Sequence, residues 1–264
     1  MRSPNPIVQF YRLIEQARPP QWADRSAAGT LPTRAYRYCD AVTSAAGFGW
    51  WAFCPLEMML LWDGSDIYWQ YAGVSDWLPL MPAAQFPNFA SKFNASAPID
   101  LQDCSPPFLT ALPEPGTLQL WSGLMARTVS GWHLLVRSPA NLPLSNAFNL
   151  YEGIVATDNW FGPLFTVLRL NRTHVPIKLR ADYPLLQIQP VARDAYGEDV
   201  LSGMTVADGM KAFQTSDWEA YRETIVVPNS MPDRPFGRYA SLQRRRRQAG
   251  CPGQAQASLR PASL

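Results

Sequence analysis

Histidine and lysine are scarce in this chain. Two histidines, His133 and His174, and three lysines, Lys92, Lys178 and Lys211, stand among 264 residues. Zinc, copper and non-haem iron sites on β scaffolds use two or three imidazoles, or thiolates in their place. His133 lies in a strand-like run, GWHLLVR, and His174 in a polar turn, NRTHVP. A His, carboxylate, His iron triad is therefore disfavoured, and no metal or other cofactor is expected. The cysteines Cys39, Cys54, Cys104 and Cys251 show no short metal-type spacing. A Walker loop, a G-x-G-x-x-G and a G-x-S-x-G are all missing, and GFGWW precedes a strand, the wrong context for a dinucleotide fingerprint. No apolar run reaches about 18 residues, which excludes a transmembrane helix and a membrane partner of that kind. The opening MRSPNPIVQF has no apolar signal region. The expectation is a cytoplasmic protein with reduced thiols.

Charge is also low, at 17% of residues. Four of the 23 basic residues are consecutive, Arg244–Arg247, and without them acids outnumber bases by two. A broad basic field is thus missing, and no nucleic-acid partner is expected. The Arg run lies in a tail without apolar period, and residues 241–264 are expected to be disordered.

Apolar surface is plentiful instead. Hydrophobic residues make up 47%, aromatics 12%, and ten residues are Trp. Proline, at 25 residues, breaks the chain into short elements. Residues 5–17 carry Ile7, Phe10, Tyr11 and Ile14 at helical spacing behind Asn5 and Pro6 and predict an amphipathic helix. Residues 18–35 read as an arm that Trp22 pins to the body. From Tyr36 to about 195, short runs rich in β-branched and aromatic residues alternate with Pro, Gly and Asn. GFGWWAFCP, LEMMLLWDG, DIYWQYAG, TLQLWSGLMART, GWHLLVRSP, FNLYEGIVATD, FTVLRLNRT, VPIKLRADYP and LLQIQPVAR each predict a strand. WDGSD predicts a hairpin turn. Residues 79–116 predict a long loop packed by its own Phe side chains. Beyond Tyr196 helices are expected at 206–213 and from a Ser216/Glu219 capping box through Arg222, within a C-terminal helical extension at 196–240. The fold expected is mainly β, a jelly-roll or cupin-like β-sandwich with short N- and C-terminal helices.

Candidate site residues are carboxylates and Trp in the β region. Glu57, Asp63, Asp66, Glu114, Glu152 and Asp158 lie in or beside apolar runs. Glu152, between Tyr151 and Gly153, needs a partner if its strand is buried. Arg137 and Arg169 sit in comparable strand contexts and are the candidates. The expectation is a buried structural ion pair, with a ligand anchor as the alternative. In a regular strand Asp158 would lie about 20 Å from Glu152, too far for an acid/base pair. Most Trp residues belong in a core. Trp121, Trp132 and Trp160 are the ones that could line a site for a flat ligand or sugar ring.

Several stretches together resemble an uncharacterised bacterial and phage family, domain of unknown function 6065. They are RYCDAVTSAAGFGWW, PEPGTLQLWSGL, SGWHLLVRSPANLP, YEGIVATDNWFGPLF and PLLQIQPVAR. The family motifs map onto Cys39–Ser44, Gly131–Asn141, Gly153–Asp158 and Pro184–Pro190. Asp40 stands where the family has Pro, an extra Ala pair precedes Gly47, and Trp132–His133 occupies a Tyr–Ser place. The resemblance spans about 36–193, implies a compact β-sandwich and adds no catalytic residue.

Two classes of function stay open. One is a small-molecule-binding β-barrel, including a metal-independent biosynthetic enzyme. The other is a non-catalytic structural or protein-interaction protein of phage type. A deep aromatic cavity holding Glu152 or Arg137 favours the first, and a filled interior favours the second.

Overall fold

The computed structural model describes residues 6–230. The Arg244–Arg247 run and the expected disordered tail lie outside the described residues. In chain order the strands are β1 (Val8–Arg12), β2 (Gln21–Trp22), β3 (Trp50–Phe53), β4 (Met58–Trp62), β5 (Ile67–Tyr71), β6 (Leu78–Pro79), β7 (Ala83–Ala84), β8 (Leu109–Ala111), β9 (Thr117–Thr128), β10 (Trp132–Arg137), β11 (Phe148–Tyr151), β12 (Gly153–Val155), β13 (Pro163–Leu170), β14 (Ile177–Leu179) and β15 (Pro184–Ala192). Short helices are α1 (Thr33–Tyr38), α2 (Asp40–Ala46), α3 (Phe89–Ser96), α4 (Glu198–Leu201), α5 (Thr215–Tyr221) and α6 (Val227–Asn229). The fold is mainly β and sandwich-like, as the strand spacing predicts.

Three antiparallel sheets form. The first runs β11-β13-β9-β8-β7, with β1 also on β9; the second runs β12-β10-β15-β3-β2; the third runs β14-β4-β5-β6. The 12-residue β9 organises the first sheet. Its first half pairs with β8 and its second half with β1 along the same edge. The changeover falls at Gly123, whose φ of +75° suits glycine. A Cβ there would come within 3.0 Å of Ile14, which is buried in the core. One core cluster draws Leu118, Leu120 and Trp121 from β9, Leu134 and Val136 from β10, and Leu60 and Trp69 from the third sheet. These side chains are buried together between the sheets.

Residues 8–12 form a strand, correcting the expected N-terminal helix. Helical and strand periodicities overlap in VQFYR, because Val8 and Phe10 also share one face of a strand. The unpaired edge of β9 decides the matter, pairing Val8–Arg12 with Arg12↔Leu124 through Val8↔Thr128. Phe10 packs on the core side against Trp50 at 5.5 Å, and Tyr11 on the other meets Phe161 at 5.3 Å.

Other elements match the sequence more closely. WDGSD joins β4 to β5, with Asp63 Oδ1 accepting the Ser65 and Asp66 N–H groups at 2.8 and 2.7 Å. The 79–116 stretch packs through Phe86, Phe89 and Phe108 as expected, but it is not one loop: it holds β7, the two-turn helix α3 and β8, because the edge of β9 pairs β8 and β8 pairs β7. Gln187 on β15 is fully buried. Its Oε1 accepts the Ala140 N–H at 2.6 Å. Its Nε2 donates toward the carbonyls of Ala45, Ala46 and Phe48 at 3.1, 3.1 and 2.7 Å. That one amide ties the end of α2 to the sheet and satisfies carbonyls the short helix leaves open.

Beyond β15 the chain turns through a 3-10 segment, Arg193–Tyr196, into the C-terminal arm. The expected helix at 206–213 is reduced to one 3-10 turn at Met210–Ala212. α5 begins two residues before the expected box, with Asp217 Oδ2 accepting the Gln214 N–H at 2.8 Å.

Candidate functional site

Glu152 and Arg137 meet, at 3.2 Å between Oε1 and Nη2. The register brings them together, since β12 pairs with β10 through Val136↔Gly153. The apolar run expected as one strand is broken at Glu152: β11 before it pairs in the first sheet and β12 after it in the second. Glu152 therefore sits at the crossing between sheets, where the chain is open to water. Its side chain is 43% exposed and that of Arg137 36% exposed. The pair is solvated, a correction to the expected buried one. Arg169 is exposed on β13, opposite Asn149, away from this pair in the ladder.

The three Trp candidates do not converge. Trp121 is wholly buried and donates its Nε1–H to the Leu124 carbonyl at 3.0 Å, so it is core. Trp132 is half-buried at the start of β10, and Trp160 is exposed, its ring lying over Gly162. Four cavities of about 190, 290, 380 and 590 Å³ open on the described surface. None of them is lined by Glu152, Arg137, Arg169 or these Trp residues.

A different polar cluster is buried. His133 on β10 lies between Asp158 and Tyr196. Its Nε2 is 2.9 Å from Asp158 Oδ1, and its Nδ1 is hydrogen-bonded to the Tyr196 hydroxyl. The His133 and Asp158 side chains are 6% and 4% exposed. Asp158 Oδ2 accepts the Gly131 N–H at 3.0 Å and meets Arg193 Nη1 at 3.3 Å. Burial opposes the charge on Asp158. The hydrogen bonds from Gly131 and His133 and the charges of His133 and Arg193 outweigh it, holding the carboxyl below its usual range. An ionised carboxylate only accepts, so Nε2 donates to Asp158. Both ring nitrogens are thus occupied.

Two members of this cluster, Arg193 and Tyr196, belong to the turn that starts the C-terminal arm. The cluster is a clasp between the arm's root and the β body. Sequence reading placed His133 and Asp158 in their runs but did not join them, because the strand ends at Val155 and a turn carries Asp158 back toward His133. The alternative of a regular strand through Asp158 is ruled out by that turn. His174 lies elsewhere, its N–H donating to the Trp62 carbonyl at 2.7 Å. Among the described residues, no group of three or more His, Cys, Asp or Glu side chains is placed to hold a metal ion.

The arm itself is apolar and uncovered. Eleven of the 23 strongly exposed large apolar side chains of the described residues lie between Val200 and Val227. Met204 is 77% exposed, Met210 72% and Trp218 44%. Dispersed single apolar residues are normal on a surface, and this run is denser than that.

No protein family and no curated protein matches the chain. Among solved structures, the chain is similar to a mutant dUTPase of Staphylococcus bacteriophage 80alpha, determined with dUpNHpp. Identity is 8% and the TM-score 0.36, over 78% of this chain and 98% of that one.

Proposed function

We propose that this is a protein-interaction protein of the non-catalytic, structural kind, and that its C-terminal arm is the interacting element. The observation that carries this reading is the run of exposed apolar side chains from Val200 to Val227, rooted on the body by the His133–Asp158–Tyr196–Arg193 clasp. Leaving that surface in water forfeits the hydrophobic free energy that burial would supply. The partly exposed Arg137–Glu152 pair, which lines none of the four cavities described, supports the same reading over a small-molecule-binding barrel. Among the described residues no helix is long and apolar enough to cross a membrane.

The test is sizing of the chain in a lysate of its native host, beside a variant with Met204→Glu and Met210→Glu. Both positions are more than two-thirds exposed, so the substitutions leave the body intact. The wild type should elute well above the monomer mass of 29.5 kDa and the variant at it. Elution of the wild type as a monomer overturns the reading.

A further inference from the structure

The outer face of the first sheet departs from the pattern of a solvated one. β13 alternates strictly: Leu164, Thr166, Leu168 and Leu170 are buried, and Pro163, Phe165, Val167 and Arg169 face outward. An antiparallel sheet with one face in water normally reads polar on that face. Here Arg169 is the one polar residue of the outward set on β13. The register carries the strip across the neighbouring strands. Tyr151 of β11 stands opposite Val167, and Met125 of β9 pairs with Pro163 on one side and Tyr11 of β1 on the other. Phe161, just before β13, holds the Arg127 guanidinium 4.7 Å over its ring. Tyr151 is 52% exposed and Phe161 49%.

Charge on these strands has one sign. β1, β9, β11 and β13 contain Arg12, Arg127 and Arg169 and no Asp, Glu or Lys. Arg12 donates to the Ala17 carbonyl at 3.0 Å. Arg127 and Arg169 are exposed, and among the described residues neither has a carboxylate partner. Elsewhere on the body Arg25, Arg137, Lys178 and Arg180 are each paired with an acid. Arg169 lies opposite Thr117, so the ladder puts it and Arg127 at opposite ends of the strip, about 33 Å apart along β9 at 3.3 Å per residue.

We propose that this strip binds single-stranded nucleic acid, with bases stacked on Tyr151, Phe161 and Phe165 and phosphates held by Arg127 and Arg169. Exposed rings that take bases, flanked by guanidiniums that take the backbone, make up a sequence-tolerant single-strand site. The strip offers both, and it carries no carboxylate to repel a polyanion. Its length suits roughly ten nucleotides at about 3.4 Å per phosphate. A duplex fits poorly, because its bases are stacked inside and cannot reach the rings. The charge balance of the whole chain conceals the strip, since two arginines that the sheet gathers on one face are averaged out in the sequence. The proposal makes no use of the C-terminal arm, and its failure leaves the reading of the arm untouched.

Fluorescence anisotropy of a labelled oligo-dT of about twelve nucleotides, titrated with the full chain at several salt concentrations, tests this. The wild type should bind at low ionic strength. Tyr151→Ala should weaken binding roughly fivefold or more, the loss of one stacked base. The double variant Arg127→Ala, Arg169→Ala should also bind more weakly, and its plot of log affinity against log salt should be shallower by about 1.4, as two lost phosphate contacts require. All three positions are exposed, so both variants should keep the wild-type circular dichroism. No binding by the wild type at low ionic strength overturns the proposal, as does binding that neither variant weakens. Binding abolished by Arg244→Ala, Arg245→Ala, Arg246→Ala and Arg247→Ala together, yet kept by the strip variants, assigns it to the Arg run and overturns the strip. Displacement of the oligonucleotide by polyglutamate as readily as by unlabelled oligo-dT would show that charge alone is read, and overturns it as well.

Discussion

The Tyr196 hydroxyl and His133 Nδ1 are hydrogen-bonded across 63 residues of sequence, and this bond fastens the C-terminal arm to the β body. On its other nitrogen His133 meets Asp158 at 2.9 Å. Tyr196→Phe removes the hydroxyl and keeps the ring. Loss of this part-buried hydrogen bond should lower stability by about 1 kcal/mol, a melting shift of roughly 2–4 °C for a domain of this size. Amide exchange at the arm's root, residues 193–201, should accelerate more than exchange in β9. Unchanged exchange at the root would show that the clasp does not hold the arm.

Acid should loosen the same clasp. The Asp158 carboxyl titrates below its ordinary 3.8 in the folded chain. A carboxyl depressed by folding contributes stability that is fully present above the unfolded value and is lost as pH falls through the folded one. Wild type should therefore melt above Asp158→Asn by a constant margin from about pH 5 upward. The margin should shrink as the pH falls below 3.8. Other depressed carboxyls, Asp24, Asp63 and Asp182, act equally in both proteins and cancel in the difference. A margin independent of pH down to 2.5, about two and a half units below the plateau region, would count against Asp158 as the titrating group.

Glu152→Gln should be nearly silent in stability. The pair with Arg137 is half-exposed, and solvated ion pairs contribute about 0–1 kcal/mol. Urea unfolding of the two proteins should give unfolding free energies that differ by less than about 1 kcal/mol. A loss of about 3–5 kcal/mol, the penalty for stranding one partner of a buried pair, would mean that water does not reach Arg137.

The thiols should separate by reactivity. Burial pushes the Cys54 thiol up to about 12, so at pH 8 only about one molecule in ten thousand carries the thiolate. Cys104 is exposed. Brief alkylation at pH 8 followed by peptide mass spectrometry should find Cys104 modified and Cys54 untouched until denaturant is added. Early modification of Cys54 would show that the β3 end of the core opens to solvent.

Strand content was legible because it is local. TLQLWSGLMART is β9 from first residue to last, GFGWWAFCP and DIYWQYAG each contain their strand, and LLQIQPVAR covers all of β15 but Pro184. Apolar runs of that length between Pro and Gly have few other ways to bury themselves. Turn chemistry was equally local, as Asp63 shows with its two accepted N–H groups. The Arg137–Glu152 pairing could be nominated from sequence, since both residues break apolar runs, but its exposure could not. Only the division of β11 and β12 between two sheets puts Glu152 in water.

What the sequence determined by itself is thus the longer strands of the β region, the β4–β5 turn and the scarcity of metal-binding side chains. The tertiary structure decided which edge each strand finds, and so turned residues 8–12 from an expected helix into β1. It also joined His133 to Asp158 and Tyr196, 25 and 63 residues away, and left the arm's apolar side chains without cover. The physical reason is one of range. Propensity and periodicity act over a few residues, whereas pairing edges, buried hydrogen bonds and exposure depend on segments that meet only when the whole chain has folded.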